Sequence, residues 1–210
     1  MTIKNKITNM FASLVIMTFA IITNVQADTS KFTGFGAGVS AGYSGGDLDW
    51  SDSTGSINLG DNSTVLGFDV NYSMPVDGNF FVGIGATYDF NDTDIGSLKI
   101  GADSISFTAD DHYSVYIQPS YAVSPNTAVF GKLGYHEIEG KVTVAGSTYG
   151  VSATEDFKGW GYGAGIKTIL SNNFYIQAEV GIVEYDKETD AGVSFEPTVV
   201  SGIVTVGYKY

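Results

Sequence analysis

Apolar residues recur at every second position in segment after segment of this chain, and the residues between them are mostly glycine or small and polar. In residues 32–43, one face carries Phe35, Val39 and Tyr43, and the other is almost entirely glycine. A period of two is that of a β-strand, whose successive side chains point to opposite faces. Eight such segments of roughly ten residues follow one another, so the sequence predicts an all-β fold.

The glycine-rich faces indicate how these strands pack. Solvent-exposed faces usually carry Lys, Glu and Thr, whereas glycine suits a face that is packed inside something narrow. The apolar faces end in aromatic residues such as Tyr43, Tyr88, Tyr121 and Phe174, at the levels where the interfaces of a bilayer would lie. We therefore expect the apolar faces to point outward. A β-sandwich, which would bury those faces against one another, is the alternative fold.

The connections between the segments alternate in length. Residues 75–79, 124–127 and 170–173 are short and rich in turn-forming residues, and long segments lie between them. Short turns at one end and long loops at the other are typical of membrane barrels, and a sandwich has no reason for this asymmetry. The sequence therefore predicts an eight-stranded antiparallel up-and-down transmembrane β-barrel.

The N-terminus has the features of a secretory signal peptide. Lys4 and Lys6 precede an apolar run over residues 10–22, and residues 25–27 offer small side chains at the spacing of a cleavage site. A membrane anchor is the alternative, but the run is short for a helix of about 20 residues that spans a bilayer. We predict a signal peptide over residues 1–27 and a barrel domain over residues 28–210.

Composition excludes several classes of protein. The chain has no cysteine, so an exported disulfide scaffold is excluded. Its net charge is −13, and removal of Lys4 and Lys6 with the signal peptide makes the balance two charges more negative. This charge argues against nucleic acid as a partner and against a basic phosphate-binding surface.

Residues 159–166, followed by the turn at 171–173, residues 177–179 and the terminal Tyr210, resemble the small eight-stranded outer-membrane barrels. This family, the outer membrane protein beta-barrel domain, includes the OmpA transmembrane domain, OmpX and Ail. The resemblance implies a monomer in the outer membrane, in contact with lipid and lipopolysaccharide. It also implies insertion by the assembly machinery, which reads a terminal pattern such as Tyr208 and Tyr210. A non-enzymatic role in envelope integrity or in adhesion to host or other surface proteins is expected.

Ionisable and amide side chains on the inward faces are the first candidate site. A lumen of eight strands is just wide enough for side chains, so charged groups there must pair or remain hydrated. We expect an internal polar network that plugs the barrel, and a catalytic carboxylate or a conducting small-solute pore are the alternatives. The predicted network consists of Asp69, Asp89, Gln118, Lys132, Lys167 and Glu179.

Two stretches of the long connections keep strand-like alternation beyond the expected membrane, and we predict a hairpin tip at each. The two hairpins are neighbours through the turn at 124–127, so they could form one protruding sheet with an open edge that another protein's strand could join. The apolar residues predicted for surface interaction are Leu98, Ile100, Ile105 and Phe107 in one hairpin and Val142, Val144, Tyr149 and Val151 in the other.

A lipid-modifying enzyme is a further alternative. His112, Tyr113 and Ser114 resemble the His-x-Ser pair of the outer-membrane lipid A deacylases, which use a histidine base and a serine nucleophile. By the alternation, however, His112 and Ser114 face the lumen rather than the lipid. No segment has the spacing of a dedicated calcium loop, so we expect neither a cofactor nor a specific metal site.

Overall fold

A computed structural model describes residues 29–51, 56–100, 103–145, 150–190 and 193–210. The predicted signal peptide lies outside these residues. No helix within the described ranges is long and apolar enough to cross a membrane. The described residues form ten strands, which are β1 (Gly34–Ser51), β2 (Ser56–Asp77), β3 (Phe80–Asp89), β4 (Thr93–Ile100), β5 (Asp103–Ala122), β6 (Thr127–Ala145), β7 (Gly150–Ile169), β8 (Phe174–Tyr185), β9 (Glu188–Asp190) and β10 (Val193–Lys209).

Eight of these strands close into a ring. They pair antiparallel in the order β1-β2-β3-β5-β6-β7-β8-β10, and β10 pairs back onto β1 from Gly36↔Lys209 to Ser51↔Ser194. The two remaining strands stand outside the ring, because β4 pairs with β5 and β9 pairs with β10. The predicted all-β, eight-stranded up-and-down barrel is therefore confirmed.

The strands are longer than the alternation predicts. We expect the first to end at Tyr43 and the second to begin at Thr64, but β1 runs to Ser51 and β2 begins at Ser56. The expected long loops are thus mainly the arms of β-hairpins. Their residues are largely Gly, Ser, Asp and Asn, which do not alternate in hydrophobicity and so hide the strand from a pattern search.

The ring is apolar outside and polar inside. Val39, Tyr43 and Val115 are 64%, 71% and 57% exposed, whereas Asp69 and Gln118 are almost fully buried. A water-soluble barrel would show the opposite arrangement. The exposed apolar band has aromatic residues along it, among them Tyr72, Phe80, Tyr113, Trp160, Tyr162 and Phe174.

A β-bulge on β5 marks the level at which this pattern ends. The β5–β6 register shifts between Asp110 and Tyr113, and Asp111 has a φ of 47°. An extra residue in one strand reverses which alternate positions face inward. Beyond the bulge the inner side becomes apolar, since Ala109 on β5 and Ile138 on β6 are both buried. A conventional sheet, apolar within and polar outside, therefore continues the barrel beyond the membrane.

The opposite end is closed by the N-terminal segment. The side chain of Phe32 is buried and stacks on Phe81 with ring centroids 5.2 Å apart. Ala122, Ala128, Ile169 and Tyr175 complete this apolar cluster. The Nζ of Lys31 donates a hydrogen bond to the side chain of Asn126, 2.8 Å away, which fastens the segment to the turn between β5 and β6. An apolar plug thus seals the end that carries the short turns.

Glycine on the inner face makes room for the aromatic rings that fill the barrel. A Cβ on Gly207 would lie 2.3 Å from Cζ of Tyr175, and one on Gly85 would lie 2.5 Å from the hydroxyl of Tyr116. Both distances are far below van der Waals contact. The inward-pointing tyrosine rings therefore pack directly against glycines of the inner face.

We predict that Gly207→Ala destabilises the barrel by about 1–3 kcal/mol, because the new methyl group overpacks the Tyr175 ring. The measurement is a urea titration of reconstituted protein, followed by the gel mobility of the folded form. Gly202→Ala on the same strand is the matched control, since a Cβ there meets nothing within 4 Å. Equal losses in the two variants would contradict this account of the inner face.

Candidate functional site: the barrel lumen

The structure places every residue of the predicted polar network on the inner face of a strand. Asp69, Gln118 and Lys167 are buried, and Lys132 and Glu179 are half-buried. Six different strands supply these residues: Asp69 (β2), Asp89 (β3), Gln118 (β5), Lys132 (β6), Lys167 (β7) and Glu179 (β8). Tyr116 links the Lys132–Glu179 pair to Asp69. Asp89 belongs to a separate group with the histidines, and Lys167 contacts Tyr175. Among the described residues, the buried Oε1 of Gln118 has no hydrogen-bond partner.

Lys132 and Glu179 form an ion pair across the lumen. The Nζ of Lys132 lies 3.1 Å from Oε2 of Glu179, and both side chains are mostly shielded from solvent. The strand between them, β7, contributes only Gly163 at this level, and the Glu179 carboxylate lies above that glycine. The same ammonium group sits 4.2 Å from the ring centroid of Tyr116, a cation–π contact that adds to the ion pair.

Asp69 is held by neutral donors. The hydroxyl of Tyr116 donates to Oδ2 at 2.5 Å, and Nδ2 of Asn71 donates to Oδ1 at 2.7 Å. Hydrogen bonds to an ionised acceptor are among the stronger ones in proteins. Asp69 therefore stays satisfied without a direct lysine partner.

Two lysines lie closer to the plugged end. The Nζ of Lys167 sits 4.8 Å from the ring centroid of Tyr175, and Nζ of Lys209 donates to the carbonyl oxygen of Gly34 at 2.7 Å. The lumen also contains residues that the sequence alone does not single out: Lys209, Tyr116, Tyr175 and the amides Asn71 and Gln177. The alternation predicts that these side chains face the lumen. It does not predict which glycine on a neighbouring strand makes room for an inward-facing tyrosine, because that depends on the strand register.

A third group joins both histidines of the chain. Nδ1 of His112 lies 2.5 Å from Oδ2 of Asp89, and Nε2 of His112 lies 2.9 Å from Nδ1 of His136. The sequence revealed no partner for His136. The missing information was the β5–β6 register, in which Ser114 pairs with His136 and the bulge follows at once.

The geometry does not support a histidine–serine catalytic pair. Ser114 is buried, and its hydroxyl oxygen lies 2.6 Å from that of Thr87. The hydrogen bonds of His112 go to Asp89 and His136 instead. Both candidate residues face the lumen, as the alternation predicts, so neither is presented to lipid.

Apolar layers bound the polar lumen at both ends. The Phe32 plug closes one end, and a second cluster of Ala109, Ile138, Val183 and Tyr185, with Phe157 and Val199 packed against it, lies toward the other. A cavity of about 80 Å³ remains between this second cluster and the polar groups, enough for several water molecules. The described lumen is thus largely filled by side chains, with a small cavity between them that is partly open.

The arms of the two predicted hairpins belong to one protruding sheet, β4-β5-β6-β7, whereas residues 101–102 and 146–149 at their tips lie outside the described residues. Ile105 pairs with Val144, and Phe107 with Val142, so the apolar positions of neighbouring strands lie in register. Ile105, Val142 and Val144 are half-buried rather than exposed. Tyr149 lies outside the described residues, and so do the side chains of Leu98, Ile100, Phe107 and Val151.

The outer part of β7 forms an edge of this sheet. Its residues 150–157 pair with β6 alone among the described residues, because the β7–β8 pairing begins at Gly159↔Tyr185. Beyond that pairing, the backbone N–H of Asp186 donates to the carbonyl of Lys158, which is the last backbone hydrogen bond between these strands among the described residues. The other edge strand of this sheet, β4, is not isolated in this way, because it lies close to β1 and β2. We call residues 150–157 the β7 edge.

The C-terminal aromatic residues lie on the outer surface beside the first strand. Tyr208 packs against Phe174 at 5.2 Å between ring centroids, and Tyr210 packs against Tyr208 at 5.0 Å. The backbone N–H of Tyr210 donates to the carbonyl of Phe35. The proposed reading of Tyr208 and Tyr210 by assembly machinery stays a prediction.

A closed antiparallel ring with an apolar exterior and a polar, side-chain-filled interior defines a membrane-spanning β-barrel. Residues 11–209 match the family model described as the outer membrane protein beta-barrel domain. The chain belongs to this family and is an outer-membrane protein.

The chain is 26% identical over 223 residues to the 31 kDa outer-membrane immunogenic protein of Brucella melitensis, covering 96% of this chain and 92% of the relative. Among solved structures it is similar to OprG of Pseudomonas aeruginosa, with a TM-score of 0.53 at 12% identity over 89% of this chain and 99% of that one. The outer membrane protease OmpT of Escherichia coli also has a TM-score of 0.53, at 8% identity over 84% of this chain and 96% of that one. At these identities the two structures show a shared fold.

We predict that Lys132→Met costs about 3–5 kcal/mol, because it leaves the Glu179 carboxylate without its cation in a shielded position. The double variant Lys132→Met/Glu179→Gln should lose less than Lys132→Met alone. The measurement is the free energy of unfolding in a double-mutant cycle. Strictly additive losses would show that the two side chains do not interact.

Proposed function

We propose that this protein is a non-enzymatic component of the outer membrane that binds other macromolecules at the cell surface through the β7 edge. The observation that carries the proposal is the absence of a second partner strand along residues 150–157 within the described chain. Unpaired backbone N–H and C=O groups along a strand are a template for strand addition.

Natural sheets usually protect such an edge with proline, a bulge or cover by another element. The β7 edge has no proline, and its register with β6 is continuous from Ala145↔Gly150 to His136↔Gly159. Ser152, Thr154, Glu155 and Asp156 are exposed along it. The edge is therefore regular and accessible, which suits an incoming extended segment.

The charge of the edge indicates the chemistry of the partner. Glu155 and Asp156 are acidic and exposed, and Glu139 pairs with Asp156 on the neighbouring β6. Lys141 lies opposite Thr154, and Lys158 is 3.8 Å from Glu137, so the acidic groups at the centre of the edge are Glu155, Asp156 and Glu139. The whole chain carries −13. Opposite charges across an interface speed encounter and fix register. We expect an extended protein segment with lysine or arginine at alternate positions.

The alternatives receive less support. A small-solute pore needs a continuous polar path, and apolar clusters lie on both sides of the polar lumen. A lipid-modifying enzyme needs a reactive pair toward the bilayer, whereas Ser114 is buried inside the barrel. We further propose a monomer surrounded by lipid and lipopolysaccharide and inserted by the outer-membrane assembly machinery, and no nucleic acid or cofactor enters this account.

Binding of a synthetic peptide with alternating lysine and valine to the protein in lipid nanodiscs tests strand addition. We predict binding, detected by fluorescence anisotropy, because such a peptide offers backbone partners and positive charge together. The matched control is the same peptide N-methylated at alternate residues, which keeps the charge but cannot complete the backbone ladder. Equal binding of the two peptides would contradict strand addition.

Proline substitutions locate the interaction on the edge. In an antiparallel strand, the backbone N–H groups of successive residues point to opposite sides. Of the two variants Ala153→Pro and Thr154→Pro, one therefore removes a hydrogen-bond donor from the open edge, and the other removes a donor to β6. The variant that removes the open-edge donor should abolish peptide binding, while the heat-dependent gel mobility of the barrel stays intact. Deletion of residues 142–151 removes the support of the edge and should also abolish binding.

A further inference from the structure

The chain contains two histidines, and the fold brings them into contact inside the lumen. They come from neighbouring strands, His112 from β5 and His136 from β6, and their rings are nearly parallel with centroids 5.2 Å apart. With 2.9 Å between Nε2 of His112 and Nδ1 of His136, the rings meet edge to edge at the distance of an N–H···N hydrogen bond, in which either ring can be the donor. Asp89 completes the chain at the far nitrogen of His112.

The His136 ring fills a slot prepared by two glycines. Gly134 and Gly161 pair with each other, and a Cβ on Gly161 would lie 2.4 Å from Nε2 of His136. No other residue type leaves room for the ring at that position. Ile138, on the same strand, belongs to the apolar cluster toward the cell exterior. The histidine contact therefore lies at the boundary between the internal cavity and the outer closure of the barrel.

Counting protons shows which states preserve this contact. When both rings are neutral, His112 donates to Asp89 through Nδ1 and accepts from Nδ1–H of His136 through Nε2. One added proton is tolerated, because it can reside on the outer nitrogen of His136 while the hydrogen bonds remain. A second added proton places two N–H donors face to face, so the contact cannot survive when both rings are cationic.

The charged and titratable groups that line the cavity do not relieve such a doubly cationic pair. Asp89 balances one positive charge, and the Glu179 carboxylate is already paired with Lys132. Within the described residues, β1 and β10 contribute no titratable group to the cavity lining, and β7 contributes Tyr162. The lining groups that can carry charge, apart from the two histidines, are Asp69 of β2, Asp89 of β3, Lys132 of β6, Tyr162 of β7, and Glu179 and Tyr185 of β8.

We propose that the chain Asp89–His112–His136 is an acid-sensitive latch that narrows the outer half of the lumen. At neutral pH the hydrogen bond between the rings ties His136 into its glycine slot beneath the apolar cluster. In acid, protonation of both rings breaks the bond, the His136 ring leaves the slot, and the path for water between the exterior and the cavity widens. This latch is independent of the β7 edge, which lies outside the lumen.

A single cysteine in this cysteine-free chain measures that access. Ser201→Cys places a thiol on the cavity wall, and Ser152→Cys places one on the exposed β7 edge as the control. Each full-length protein, in nanodiscs, reacts with a small water-soluble thiol reagent at about pH 7.5 and about pH 4.5, on either side of the ordinary histidine range. Because acid slows both thiols by lowering the thiolate fraction, the readout is the ratio of the two rates.

We expect the ratio of the Ser201→Cys rate to the Ser152→Cys rate to rise about tenfold in acid. In a His136→Gln background, which keeps hydrogen-bonding capacity but cannot become cationic, the ratio should not change with pH. A ratio that is constant in the chain with both histidines would overturn the proposal, and so would a rise that persists in His136→Gln. Unchanged heat-dependent gel mobility at both pH values verifies that the barrel remains folded.

Nitrogen NMR of the unsubstituted protein provides a test without any substitution. With only two histidines in the chain, all imidazole signals come from this contact. We expect a hydrogen-bonded imidazole proton coupled to nitrogens of both rings at neutral pH, and loss of that coupling in acid. A coupling that persists after both rings have become imidazolium would overturn the latch.

Discussion

Closure of the backbone hydrogen-bond ladder is the constraint on which the rest of this structure depends. In hydrocarbon no water satisfies an unpaired N–H or C=O group, so a sheet that spans a bilayer must have no edge. Pairing of β1 with β10 meets this condition. A ring of eight strands leaves an interior only wide enough for side chains, which forces large apolar residues outward and glycine inward. The seating of Tyr175 on Gly207 follows from that restriction.

The same narrow interior decides what the polar side chains can do. Each ionised group must find its partners within a few ångströms, and the described contacts provide them locally: Lys132 with Glu179, Asp69 with Tyr116 and Asn71, and Asp89 with His112. Beyond the membrane the constraint is lifted, because water can satisfy an edge there. The sheet accordingly turns apolar inside at the β5 bulge, and β7 has an edge that no other described strand pairs with.

Much of the fold could be predicted from the sequence, because alternation records which side of each strand faces lipid. It predicts the strand number, the inward phase of Glu179 and the outward phase of Tyr208. The hairpin arms escape prediction because their glycine, serine and aspartate residues do not alternate. The contact between His112 and His136 escapes it too, since it depends on the register between two strands, and residues 24 apart in sequence carry no signal for such a contact. Tyr116 and Tyr175 look like ordinary strand aromatics until the glycines facing them are known.

Cross-linking of the first and last strands of the ring tests closure most directly. Val39 and Val206 are register partners on the outer face, at the Cα separation that a disulfide requires, whereas Val39 and Val204 are offset by two residues. In this cysteine-free chain, the pair Val39→Cys/Val206→Cys should form a disulfide in the membrane, detected as altered mobility of the denatured protein, and Val39→Cys/Val204→Cys should form little. Absence of a cross-link in the first pair, in protein inserted in the outer membrane, would contradict the closed barrel.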